Sequence, residues 1–110
     1  MVTRTVLLYG RSLLLPLVAA CLEESPALRV MQTTTWRKAS KLVAEAVPDV
    51  LIFDMSDAHQ SDILLLLAKN PHLLLVGLDV EHSQAVLLGG QEARSLDLQG
   101  VRQIVERGRL

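Results

Sequence analysis

Apolar residues in this chain fall into two alternating patterns. One is a short run closed by a turn residue; the other is a stripe that repeats every three or four positions. Thr5-Val6-Leu7-Leu8-Tyr9 is a run of the first kind, closed by Gly10, and predicts a buried strand. Ser12 can cap a helix running to about Ser25, with Pro16 near its first turn, where proline is least damaging. Leu28 to Gln32 alternates Leu28, Val30 and Gln32 against Arg29 and Met31, a polar mix that suits a sheet edge. Thr33-Thr34-Thr35 offers a cap to a second helix, whose stripe is Trp36, Ala39, Val43, Ala46 and Val47 and which Pro48 stops. Arg37, Lys38, Lys41 and Glu45 fall largely outside that stripe and read as a solvated face. Val50-Leu51-Ile52-Phe53 is continuous rather than alternating, as a strand covered on both faces is, and it ends at Asp54. Asp57 and Gln60 form a capping-box-like pair ahead of a helix from about Ala58 to Lys69. In that helix Ile63 to Leu67 are apolar almost all round, and Asn70-Pro71 ends it. Leu73 to Leu78 reads as a fourth buried strand.

Strand and helix alternate through residue 78, which predicts a parallel sheet with right-handed crossovers and helices on both faces. The expected fold is a single α/β domain, a three-layer sandwich with its parallel strands in the order 2-1-3-4. Gln84 to Leu88 is a further strand candidate. Only about five residues separate it from Leu78, whereas a parallel crossover needs about a dozen. It should therefore run antiparallel, as a C-terminal hairpin at one edge of the sheet. Gly89-Gly90 suits a second tight turn into a short strand near Glu92 to Ser95. A last helix is expected over about Asp97 to Arg107, with Leu98, Val101, Ile104 and Val105 inward and Gly108 as its C-cap. The rival reading makes Ser83 to Leu88 a short helix; Gly89-Gly90 would break it, which favours the hairpin.

Composition narrows the function classes. Hydrophobic residues make up 50% of the 110 and charged residues 21%, which excludes a disordered chain. Eleven basic residues against twelve acidic leave a net charge of −1, so no global field draws nucleic acid or an anionic membrane. Aromatics at 3% leave no stacking platform for single strands. One cysteine excludes an internal disulfide and any multi-cysteine metal site, and the chain is expected in the cytoplasm. Mean hydropathy is high, at +0.33. Yet the longest uncharged stretch, Ser12 to Leu22, falls short of the roughly 18 apolar residues that a spanning helix needs. That stretch has a sharper alternative: Arg4 and Arg11 as a basic region, Leu13 to Leu17 as an apolar core and Val18-Ala19-Ala20-Cys21 as a lipobox, with Cys21 lipidated and the chain held at a membrane. Removal of residues 1–20 would delete the first strand, so Cys21 is read as a buried thiol on a helix.

In an open α/β sheet, ligands meet the carboxyl ends of the strands where strand order reverses. Those ends offer Arg11, Thr34, Asp54, Asp57 and Asp79 as a candidate crest site. Pro48-Asp49-Val50-Leu51-Ile52-Phe53-Asp54-Met55 resembles the third strand of a response-regulator receiver domain, and the order of elements through residue 78 is similar too. The resemblance implies a flavodoxin-like fold with a strand-end aspartate, Asp54, in the place of the phosphoacceptor. It also implies what is missing. An acidic pair that holds Mg²⁺ is expected after the first strand, where Tyr9-Gly10-Arg11 stands. A Met-Pro-type turn and a glycine are expected after the phosphoacceptor, where Met55-Ser56-Asp57-Ala58 stands. The strand-four hydroxyl gives way to Gly77-Leu78, and the strand-five lysine has no counterpart in Val86-Leu87-Leu88-Gly89. Phosphoryl transfer depends on charge neutralisation around the reacting group, which a lone aspartate does not supply.

Other chemistry finds little support. Asp54, Asp57, His59 and Asp62, with Asp79, Glu81 and His82, could converge on an ion, but Asp57 is better explained as a helix cap and Asp62 as a first-turn dipole partner. Ser12, Ser56 and Ser83 lack a nucleophile elbow, and Gly89-Gly90 lacks the lysine of a phosphate loop. The chain is thus expected to be no enzyme, to hold no metal or cofactor, and to act as a degenerate receiver-like regulatory or protein-interaction module with a signalling partner. The alternative is a small-ligand or nucleotide-binding flavodoxin-like domain using Arg11 and Thr33 to Thr35. With 23 leucines and a helix apolar nearly all round, a homodimer is expected, with Leu65 or Leu66 at its interface.

Overall fold

The computed structural model describes residues 3–56, 60–79, 81–82, 84–88, 92–95 and the single positions Arg102 and Val105. The elements bounded within the described residues are β1 (Arg4–Tyr9), α1 (Leu14–Glu23), β2 (Leu28–Thr33), α2 (Trp36–Ala46), β3 (Val50–Asp54), α3 (Gln60–Lys69), β4 (Leu74–Asp79), β5 (Gln84–Leu88) and β6 (Glu92–Ser95). The sheet has six strands in the order β2-β1-β3-β4-β5-β6. β1 pairs in parallel with β2 and β3, and β3 with β4. β5 turns back antiparallel on β4, Asp79 opposite Gln84, and β6 turns back on β5. The short connection after Leu78 is the reason: it has no room for a crossover helix. The order 2-1-3-4 and the edge hairpin are therefore as the sequence predicts, and the rival helix over 83–88 is not formed.

Alternation along each strand feeds two cores. Val6, Leu8, Val50, Ile52, Val76 and Leu78 pack on one face against Leu15, Val18, Ala19 and Leu22 of α1 and against Val105. Leu7, Tyr9, Leu51, Phe53 and Leu75 pack on the other against Ala39 and Val43 of α2 and Ile63 and Leu66 of α3. That is the three-layer sandwich. Leu7, Leu8, Leu51, Ile52, Leu75 and Leu78 are each less than 2% exposed. At about 1.5–3 kcal/mol per buried large apolar side chain, these central strands carry much of the driving force for folding. Asp49 fastens the sheet at the opposite end from the crest. Its Oδ2 accepts the Thr5 N–H at 2.8 Å, its own N–H donates to the Thr5 carbonyl at 2.8 Å, and its carbonyl accepts the Leu74 N–H at 3.0 Å.

Several local expectations need correction. The N-cap position of α1 is Leu13; the Ser12 hydroxyl accepts the Leu14 N–H at 3.2 Å, a short turn rather than a formal cap. Cys21 is half-buried, because it flanks the inward row formed by Val18, Ala19 and Leu22. In α2, Ala46 and Val47 are exposed, and Leu42 packs on the core in their stead. The helix ends there: Val47, the residue before Pro48, adopts φ 46° and ψ 62°, a left-handed C-cap. Leu66 points into the core while Leu64 and Leu65 are 55% and 58% exposed, so Leu65 is the outward member of the pair. Asp57, Gly89-Gly90 and all of the predicted last helix except Arg102 and Val105, both helical, lie outside the described residues.

Candidate functional site

The crest is built by the loops that leave β1, β2 and β3. Gly10 follows β1 with φ 143°, a conformation that side-chain-bearing residues rarely take. Its N–H donates to the Thr33 carbonyl at 3.1 Å and so ties the β1–α1 loop to the end of β2. Thr33 is buried, and its Oγ1 accepts the Thr35 N–H at 3.4 Å. Thr35 caps α2, its Oγ1 accepting the Lys38 N–H at 3.3 Å. Two of the three threonines thus shape the loop, while Thr34 stands exposed between them.

This arrangement leaves two clefts. The first, of about 420 Å³, runs between the β1–α1 and β2–α2 loops and is lined by Arg11, Ser12, Thr33, Thr34, Thr35 and Lys38 over a floor that includes Leu8, Leu15 and Pro16. The second, also about 420 Å³, shares Gly10, Arg11, Thr34 and Thr35 with it and is closed by Tyr9, Trp36 and Ser56. Tyr9 and Trp36 meet edge to face there, ring centres 5.3 Å apart at 67°.

Asp54 is differently engaged. It is 5% exposed, and Oδ1 accepts both the Ser56 N–H at 2.9 Å and the Ser56 hydroxyl at 2.6 Å. This is an Asx turn with the serine hydroxyl added, and it closes the chain reversal after β3. The Met55 N–H donates to the Leu78 carbonyl at 3.0 Å. The Met55 side chain covers Gly77: a Cβ at position 77 would lie 2.9 Å from Met55 Cγ, 3.1 Å from Sδ and 3.3 Å from Phe53 Cζ. The space a side chain at position 77 would need is therefore filled by the Met55 thioether.

Asp79 also caps a turn. Its carboxylate accepts the His82 N–H at 3.2 Å and lies 2.8 Å from His82 Nδ1. Burial pulls its pKa upward, but the bonds from the His82 side chain and backbone, the His82 charge and the Glu81 N–H together hold it below 3.8. Of the five expected crest residues, then, Arg11 and Thr34 line the same clefts, Asp54 and Asp79 each close a local turn, and Asp57 lies outside the described residues. Lys38 is a crest residue that the sequence did not single out; it stands three positions after the Thr35 cap. Ser56, two positions after Asp54 at the same strand end, has the spacing of an Asx turn.

Among the described residues, the donor set does not fit the Mg²⁺ that the receiver resemblance implies. Gly10 and Arg11 stand where that resemblance would expect the acidic pair, Asp54 Oδ1 already accepts two hydrogen bonds, and no three of His, Cys, Asp and Glu come together among these residues. Comparison with family models, with curated proteins and with solved structures finds no match to this chain. Among the described residues, no helix is long and apolar enough to cross a membrane.

Proposed function

We propose that this chain is a receiver-like regulatory module that acts through its surfaces and carries out no phosphoryl transfer. The single observation behind this reading is the state of Asp54: its side chain is buried at the end of β3, and one carboxylate oxygen, Oδ1, accepts both hydrogen bonds of the Ser56 turn. Arg11 in place of an acidic residue and Met55 packed over Gly77 point the same way. Acetyl phosphate with Mg²⁺, followed by intact-protein mass spectrometry, tests it. The expected result is an unmodified chain; a phosphoryl adduct that disappears in Asp54→Asn would overturn the reading.

The surface that acts includes the outward side of α3, and its occupant is a second copy of this chain. Leu64 and Leu65 are exposed there, and Leu65 lines a groove of about 310 Å³ between α2 and α3 with Asp62 and Lys69. Asp62 lies in the first turn of α3 and Lys69 in the last. An antiparallel, two-fold pairing centred beside Leu65 sets Asp62 opposite Lys69 of the partner subunit, and the reverse, while covering the leucines. The patch is self-complementary in charge as well as apolar.

A further inference from the structure

We infer that the cleft between the β1–α1 and β2–α2 loops is a binding site for a small phosphorylated molecule. This goes beyond the module reading and does not depend on Asp54, which lines neither crest cleft among their described linings. At about 420 Å³ the cleft lies within the range of small-molecule sites and is larger than a bare phosphate requires. Its charged linings are Arg11 and Lys38, and no acidic residue joins them among the described residues. Hydroxyls come from Ser12, Thr34 and Thr35, and from Thr33, which is 7% exposed. Thr33 Oγ1 accepts a hydrogen bond from the Thr35 N–H. Hydroxyls along the wall of a cleft whose charged linings are both positive are matched by an oxyanion.

The charge of the lining favours a phosphoryl group over a carboxylate. Arg11 comes from one loop and Lys38 from the helix that follows the other, and a phosphate monoester carries about 1.5 to 2 negative charges at neutral pH where a carboxylate carries one. The N-termini of α1 and α2 open at the same crest, and neither first turn carries an acidic side chain to compensate its dipole. The remaining lining, Leu8, Leu13, Leu15 and Pro16, is apolar. It suits a ligand whose phosphoryl end is attached to a small apolar or ring-bearing body.

Heteronuclear NMR of the full chain, titrated with phenyl phosphate, inorganic phosphate and, at matched ionic strength, sodium chloride, tests the proposal. Phenyl phosphate should shift the amides of Gly10, Arg11, Ser12, Thr34 and Lys38 saturably and bind more tightly than inorganic phosphate. Arg11 and Lys38 are both exposed, so Arg11→Ala and Lys38→Ala should fold normally and each weaken phenyl phosphate about ten-fold, the expected loss of one charge-assisted hydrogen bond. Shifts that chloride reproduces, or affinity unchanged in Lys38→Ala, would overturn the site. Equal affinity for phenyl and inorganic phosphate would overturn its assignment to a phosphorylated molecule. None of these outcomes bears on phosphorylation of Asp54, so this site and the module reading fail separately.

Discussion

Single aspartates decide much of this molecule, and each does so by accepting backbone N–H groups. Asp49 and Asp54 bracket β3 and are the two acidic residues of the stretch that resembles a receiver strand. One binds Thr5 N–H at the base of the sheet and the other Ser56 at its crest. Both acidic residues of that stretch are thus engaged in turn and sheet chemistry. That part of the site was hard to see in the sequence: an aspartate at a strand end has the same letter whether it faces a ligand or its own chain. Asp79 offers a direct check. Its pKa is lowered in the fold, so its turn contributes stability in full above 3.8 and loses it as pH falls through the lower, folded value. In an NMR titration, the Asp79 side-chain carboxyl carbon should have its midpoint below 3.8. In His82→Ala the midpoint should rise, because the side-chain bond and the charge are both lost. Val47 is a second check at this scale. A β-branched residue in the left-handed region costs on the order of 1–2 kcal/mol, and Val47, 55% exposed, has little packing to lose. Val47→Gly should therefore raise stability by about 1 kcal/mol in urea unfolding, net of glycine's own entropic cost.

Among the elements, those whose periodicity had one interpretation were legible. β3 and β4 are continuous apolar runs and lie at the centre of the sheet; Leu28 to Gln32 carries polar positions and lies at its edge. The antiparallel hairpin was legible from connection length alone. The end of α2 was legible from Pro48, but the exposure of Ala46 and Val47 was not, because both continue the apolar stripe in sequence. Lys38 was read as part of a solvated face, because a stripe argument assigns faces and cannot show that two neighbouring loops leave a cleft. Gly77 is likewise explained only by its neighbour across the strand, Met55. Gly77→Ser should destabilise the protein by about 1 kcal/mol, the lower end for overpacking, since Met55 is partly exposed and can swing aside. In a Met55→Ala background the same change should cost less, and a double-mutant cycle in urea would show the coupling. An additive pair would mean that Met55 does not crowd position 77.

Two regions of the whole molecule are proposed to act, the crest clefts and the outward side of α3, with Trp36 lining both the second crest cleft and the groove beside α3. The self-association proposed for α3 predicts a dimer near 24 kDa, twice the 12.1 kDa of one chain, by sedimentation equilibrium at tens of micromolar. Leu65→Glu should give the monomer and leave the fold unchanged, since that side chain is 58% exposed. A monomer in the unmodified protein would remove the α3 interface. The central claim concerns the crest: Asp54 belongs to a turn and does not accept phosphate. The most direct measurement follows the Asp54 and Ser56 amides by NMR while Mg²⁺ is added in the presence of beryllofluoride, which stands in for a phosphoryl group. The predicted result is that neither amide shifts saturably and Ser56 keeps its bond to the carboxylate. Saturable, Mg²⁺-dependent shifts at Asp54 and Ser56 would contradict the account.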